Sequence, residues 1–126
     1  MKIAILDADI LHDSLRPDYG SYGLMFEHLL GPATGGWQLS VHHVIDGQYP
    51  EDPQQYDGFL ITGSKHDSFA DDQWIVALRQ YARTLFRQGK PMVGVCFGHQ
   101  LLAHALGGRA GRSDAGWGLG VMQYRV

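Results

Sequence analysis

PMVGVCFGHQLLAHALGG, residues 91–108, places the chain's single cysteine, Cys96, between Gly94 and Gly98. Its first six residues form a short apolar run, which suits a buried strand. Leu101, Leu102, Ala105 and Leu106 then recur at helical spacing, and a glycine pair ends the run. The segment predicts a strand over 91–96, a sharp turn at the cysteine and a helix over 98–108. A residue on such a turn is held in a strained backbone conformation. Its neighbours two residues before and two after are crowded together, and glycine at both positions relieves the clash. The helix aims its N-terminus at the sulfur, where partial positive charge favours a reactive thiolate. The N–H of Phe97 can then face a developing oxyanion. The alternative for Cys96 is a buried structural cysteine at a tight turn, because free cysteine is often fully buried.

The same alternation of elements runs through the rest of the chain. KIAILDA (2–8) is a short β-rich apolar run suited to a buried strand. LHDSLRPDYG (11–20) is polar, holds Pro17 and Gly20, and predicts a loop. SYGLMFEHLLG (21–31) predicts a helix stopped by Gly31 and Pro32. WQLSVHHVI (37–45) alternates like a strand, and YDGFLITGS (56–64) is a second apolar strand running into a glycine–serine turn. DQWIVALRQYARTLFRQG (72–89) places Trp74, Leu78, Tyr81 and Leu85, with Ile75 and Ala82, on one helical face. Asp71 or Asp72 can cap that helix. From Leu119 onward the chain is again strand-like. This order implies an α/β fold of three layers: a mostly parallel open sheet with helices on both faces.

Composition sets the outer limits. The chain has 126 residues, 44% of them apolar and 18% charged, as expected for one globular domain. Its net charge is −3 and no basic block occurs, which argues against nucleic acid or an anionic membrane as main partner. No apolar run approaches the roughly 18 residues that a membrane span needs. A single cysteine excludes an internal disulfide and fits a reducing compartment, so the expected location is the cytoplasm.

The segment GVCFGHQLLAHALGG resembles the nucleophile segment of class I glutamine amidotransferases. It carries their G-x-C-x-G-x-Q pattern at Gly94, Cys96, Gly98 and Gln100. DGFLITGSKHDSF (57–69) looks like the strand and loop that precede this elbow, and GWGLGVMQYRV (116–126) like the strand that follows it. The likeness is greatest to stand-alone members similar to the amidotransferase part of GMP synthase. It implies a flavodoxin-like sheet and a glutaminase-type reaction. Cys96 would attack the side-chain amide of glutamine, release ammonia and form a γ-glutamyl thioester for water to cleave. It further implies an oxyanion hole from backbone N–H groups at Phe97 and at the Gly63–Ser64 turn, and substrate binding by Gln100. The implied partners are glutamine and an acceptor-synthase domain or subunit, with no metal or organic cofactor.

One part of the family's pattern is missing. A thiol nucleophile of this type needs a general base, usually a histidine oriented by a carboxylate. The family supplies these as a His-x-Glu pair on a later strand, and residues 97–126 contain none. The expectation is an N-terminal portion of a longer amidotransferase domain, inactive or poorly active alone. An unpaired edge of its sheet would promote dimerisation. A γ-glutamyl peptide hydrolase of the same architecture and a non-catalytic glutamine-binding module are the alternatives. Other polar residues have plainer readings. Asp7 and Asp9 fit loop capping better than a metal site. His42 and His43 are adjacent in a strand and point to opposite faces. His99 belongs to the elbow's helix start and His104 to the helix. Lys65 and His66, after the Gly63–Ser64 turn, fit either the mouth of the site or exposed loop polarity equally well, and Tyr19 and Tyr22, near glycines, fit packing at a loop.

Overall fold

The computed structural model describes residues 1–116, 118, 120, 121 and 123. Four strands, β1 (Lys2–Asp7), β2 (Gln38–His43), β3 (Gly58–Ile61) and β4 (Met92–Gly94), form one sheet in the order β2-β1-β3-β4. Every pairing is parallel. Among the described residues, four α-helices accompany them: α1 (Arg16–Tyr19), α2 (Tyr22–Leu30), α3 (Gln73–Arg87) and α4 (Phe97–Ala105). The architecture is thus the predicted α/β class. The strand-like stretch expected from Leu119 lies outside the described residues, apart from the isolated positions 120, 121 and 123.

Pleating divides β1 between two faces. Ala4 and Leu6 join Phe59 and Ile61 of β3 in a core with Ile75, Leu78, Ala82 and Leu85 of α3 and Phe97, Leu101 and Ala105 of α4. The side chains one position along β1 face the other way. Asp7 there accepts the N–H of Gly23 in the first turn of α2 through Oδ2, at 3.0 Å. Gly23 has no room for a side chain, since a Cβ would lie 2.4 Å from Cγ1 of Val41 and 3.0 Å from that carboxylate oxygen. Helix α2 can therefore sit close over β1 and β2.

Several features depart from the sequence expectations: the strand expected over 37–45 ends at His43, with a 3-10 turn over Val44–Asp46, and Gly31 and Pro32 continue α2 as a 3-10 turn over Gly31–Ala33. The segment 11–20 contains the one-turn helix α1, because Pro17 occupies a first-turn position, where its missing N–H costs nothing. Asp72 is the N-cap of α3, but its side chain makes no capping hydrogen bond. Ser21 does cap α2, accepting the N–H of Leu24 at 3.2 Å.

The register aligns the carboxyl ends of the strands. Leu6 pairs with Ile61, and Ile61 with Gly94. The ladder runs one residue further on each side, from Thr62 N–H to Leu6 O (3.1 Å) and from Val95 N–H to Ile61 O (3.0 Å). The loops after β1, β3 and β4 consequently leave the sheet at one level. The chain passes from β1 to β2 on one side and returns to β3 on the other. The crevice between β1 and β3 is therefore a topological switch point, where open parallel sheets bind their ligands.

Candidate active site

Cys96 stands where β4 hands over to α4. Its backbone has φ 51° and ψ −107°, the only positive φ at a non-glycine among the described residues. Such a conformation costs on the order of 1–3 kcal/mol and persists only where its surroundings impose it. Here the surroundings are backbone. A Cβ at Gly94 would lie 2.3–2.4 Å from Gly98 C, Gly98 O and His99 N, and one at Gly98 would lie 2.4 Å from Ile61 O. The turn closes through Gly98 N–H to Val95 O, at 2.9 Å. Only glycine permits so close an approach. Cys96 is exposed, which rules out the buried structural alternative.

The cysteine opens into a cleft of about 690 Å³. Gly63, Ser64 and Lys65 line it from the β3 side and Asp9 from the β1 side. Gly63 is close, with its hypothetical Cβ 3.8 Å from Cβ of Cys96. Phe97 is buried beneath the elbow and stacks on Trp74 with ring centroids 5.7 Å apart. As the first residue of α4, its N–H belongs to the helix turn that lacks intrahelical acceptors. Cys96, Gly63, Ser64 and the Phe97 backbone are thus neighbours in space.

Gln100 faces elsewhere. It lines an adjoining cleft of about 700 Å³ with His66, Asp67, Arg112 and Ser113. Lys65 lines both clefts and so stands between them. The second cleft is the more polar, and Arg112 pairs across it with Asp67 at 2.9 Å.

The opposite wall of the cysteine's cleft escaped the sequence reading. Tyr19, Tyr22, Met25, Phe26, His28 and Leu29, from α1 and α2, form it. The available signal was composition. α2 reads YGLMFEHLL, apolar nearly all round, and leaves Leu24, Met25 and Leu29 substantially exposed. This exposed apolar face borders the cleft.

Asp9 has the capping role expected of it. Its carboxylate accepts the N–H of Lys65 at 2.9 Å and of Ile10 at 2.8 Å. His42 and His43 do point apart: His42 Nε2 lies 3.2 Å from the Tyr56 hydroxyl, and His43 Nδ1 lies 3.5 Å from Asp7. His66 is half-buried, bonded to Ser64 and edge-on to Trp74. His99 is exposed on the first turn of α4 and His104 half-buried near its end. Among the described residues, no group of three or more histidine, cysteine or carboxylate side chains is disposed to hold a metal ion. No described helix is long and apolar enough to cross a membrane.

A family model described as Glutamine amidotransferase class-I matches residues 36–125. Gamma-glutamyl peptidase 3 of Arabidopsis thaliana is 37% identical over 127 residues, covering 99% of this chain and 50% of that protein. Gamma-glutamyl peptidase 5 of the same plant is 41% identical over 109 residues, covering 85% of this chain and 43% of that protein. A solved structure of a glutamine amidotransferase from Thermotoga maritima aligns with a TM-score of 0.61 at 18% identity, over 84% of this chain and 43% of that one. That last likeness is one of fold. The chain spans about half the length of the curated relatives it matches.

Proposed function

This chain belongs to the class I glutamine amidotransferase family, and from that premise we propose that Cys96 cleaves γ-glutamyl amide bonds through a γ-glutamyl thioester. The observation that carries this is the elbow itself: an exposed cysteine at φ 51°, at the head of α4, facing the Gly63–Ser64 turn. The thiolate of Cys96 adds to the γ-carbonyl carbon, and the carbonyl oxygen becomes an oxyanion. The N–H groups of Phe97 and Ser64 receive that charge. The C–N bond then breaks, and the amine leaves with the proton that the Cys96 thiol gave up. Water finally attacks the thioester, returning the thiol and releasing glutamate. The net reaction adds one water across one amide bond.

Two clefts suit the two halves of such a substrate. The polar one, with Gln100, Arg112 and Asp67, suits the α-amino and α-carboxylate groups of the glutamyl residue. The apolar one, walled by Tyr19, Tyr22, Met25 and Leu29, suits a leaving amine larger than ammonia. A γ-glutamyl peptide is therefore the proposed substrate class, in keeping with the names of the two plant relatives. The second reading, favoured by the family's description, is hydrolysis of glutamine with ammonia passed to an acceptor.

The thiol and the attacking water each need a base. Among the described residues no hydrogen bond joins Sγ of Cys96 to a histidine; His12, His42 and His66 have other partners. The positive end of α4 favours the Cys96 thiolate without a bonded histidine, and nothing comparable among the described residues serves the attacking water, so acylation is the half-reaction assigned to these residues. The test uses γ-glutamyl p-nitroanilide, whose electron-poor amine leaves more readily than an alkylamine and reports its release by absorbance. The expected result is a stoichiometric burst of p-nitroaniline that Cys96→Ala abolishes. A burst that survives in Cys96→Ala, or none in either protein, contradicts the proposal. Competition then identifies the substrate: a γ-glutamyl dipeptide with an apolar second residue should suppress the burst more strongly than glutamine. The reverse order supports the second reading.

A further inference from the structure

We propose that Thr62 and Asp9 are positioning residues that fix the Gly63–Lys65 turn so that Ser64 offers its N–H to the reacting carbonyl; the inference rests on the γ-glutamyl thioester chemistry above. Thr62 is fully buried, so its hydroxyl must find partners inside the protein. It accepts the N–H of Ala8 at 2.9 Å and donates to the carbonyl oxygen of Gly63 at 3.0 Å. The peptide unit joining Gly63 to Ser64 is planar and trans, so its C=O and N–H point in opposite directions. Tying the Gly63 carbonyl to Thr62 therefore turns the Ser64 N–H away from Thr62 and Ala8. Asp9 then anchors the next unit, its Oδ2 accepting the N–H of Lys65 at 2.9 Å. Ser64 Oγ accepts the N–H of His66 at 3.2 Å.

The amides of Lys65 and His66 are thus occupied, whereas that of Ser64 has no acceptor among the described residues. A free, outward amide fixed on both sides in the wall of the Cys96 cleft has the form of a pre-organised oxyanion donor. Asp9 is itself 7% exposed and bonded to two backbone amides, so it is held by the loop as firmly as it holds it. Neither side chain is required to touch the substrate; both act through the turn.

The experiment compares two reactions of Cys96. Acylation by γ-glutamyl p-nitroanilide develops an oxyanion, whereas alkylation by iodoacetamide at a saturated carbon does not. Thr62→Val removes the hydroxyl and keeps the shape. It should slow the acylation burst about 10- to 100-fold, the scale of losing part of an oxyanion donor. Alkylation should stay within about twofold of wild type, and Thr62→Ser should restore most of the burst. Asp9→Asn should slow acylation about tenfold with alkylation likewise preserved. An unchanged burst in Thr62→Val, or a parallel fall in both rates, overturns the inference while leaving the thioester chemistry standing. Should Thr62→Val fail to fold, the same two rates in Asp9→Asn decide. A wild-type chain without any Cys96-dependent burst removes the thioester chemistry and the inference together.

Discussion

Cys96 shows what a residue at positive φ costs its fold. Its positive φ is tolerated because the strand before it and the helix after it are both held by the sheet register, and because Gly94 and Gly98 allow backbone to touch backbone. The two glycines and Gly63 are therefore expected to behave differently. In Gly98→Ala the new methyl meets the carbonyl of Ile61 at 2.4 Å, and backbone has no means of yielding cheaply. Urea unfolding should show a loss of about 3 kcal/mol, at the upper end for overpacking. In Gly63→Ala the nearest atom is Cβ of Cys96 at 3.8 Å, an ordinary contact. Stability should change by no more than about 0.5 kcal/mol. The added methyl nevertheless occupies the space beside the sulfur, so the acylation burst should fall about tenfold or more. Equal stability losses in the two variants would contradict this division between a glycine that builds the turn and one that leaves room for a substrate.

At the scale of elements, α3 and the segment before β3 meet through a pair of tyrosines. Tyr49 and Tyr81 pack with ring centroids 4.6 Å apart and planes tilted by 54°, and both hydroxyls are buried without a partner among the described residues. Burial pushes both phenols up to about 12, with Tyr49 adding to the effect on Tyr81. The folded chain thus prefers the neutral phenol, while the unfolded chain begins to ionise near 10. Stability should be intact below pH 10 and decline between about 10 and about 12. Tyr81→Phe removes an unsatisfied hydroxyl. It should raise stability by about 1 kcal/mol at neutral pH and flatten the alkaline decline. Thermal melts across that range check both. His42 works in the opposite direction. Desolvation foremost, then His43 and Lys2, lowers its pKa, so the folded state prefers the neutral ring. Its contribution is present above about 6.5 and lost on acidification, and His42→Gln should lessen the acid-side decline.

The elements were legible wherever one periodicity dominated. α3 spans Gln73–Arg87 inside the expected 72–89, and its buried residues include Ile75, Leu78, Ala82 and Leu85 as anticipated. β1 and the β4–α4 elbow likewise fall where apolar runs and glycines put them. What one-dimensional pattern could not show was pairing across the fold. Arg79 lies on the buried side of α3, because its guanidinium donates to the carbonyl of Ser68 at 3.2 Å. Helical spacing puts it on the face of Ile75 and Ala82, but nothing local in QWIVALRQYARTLFR shows that a cation finds a backbone acceptor there. The apolar wall of the cleft was equally hidden, since it needs α1 and α2 to lean over a loop more than thirty residues downstream. The motif located Cys96, Gly63 and Ser64 in one cleft, but the opening of Gln100 into a second one is a property of the fold.

For the molecule as a whole, strand order explains why the candidate site lies at the carboxyl end of the sheet. With β1 and β3 adjacent and their connections running to opposite sides, the loops after β1, β3 and β4 converge on a single crevice. Asp9, the Gly63–Lys65 turn and Cys96 come one from each of these loops. No segment makes the site alone, so its reactivity should vanish with the fold. Intact-mass analysis after brief exposure to γ-glutamyl p-nitroanilide and an acid quench measures this most directly. The expected result is one γ-glutamyl group per chain, on Cys96, in the folded protein and none in the urea-unfolded one. A folded chain that stays unmodified, or that labels no better than the unfolded one, would contradict the thioester chemistry.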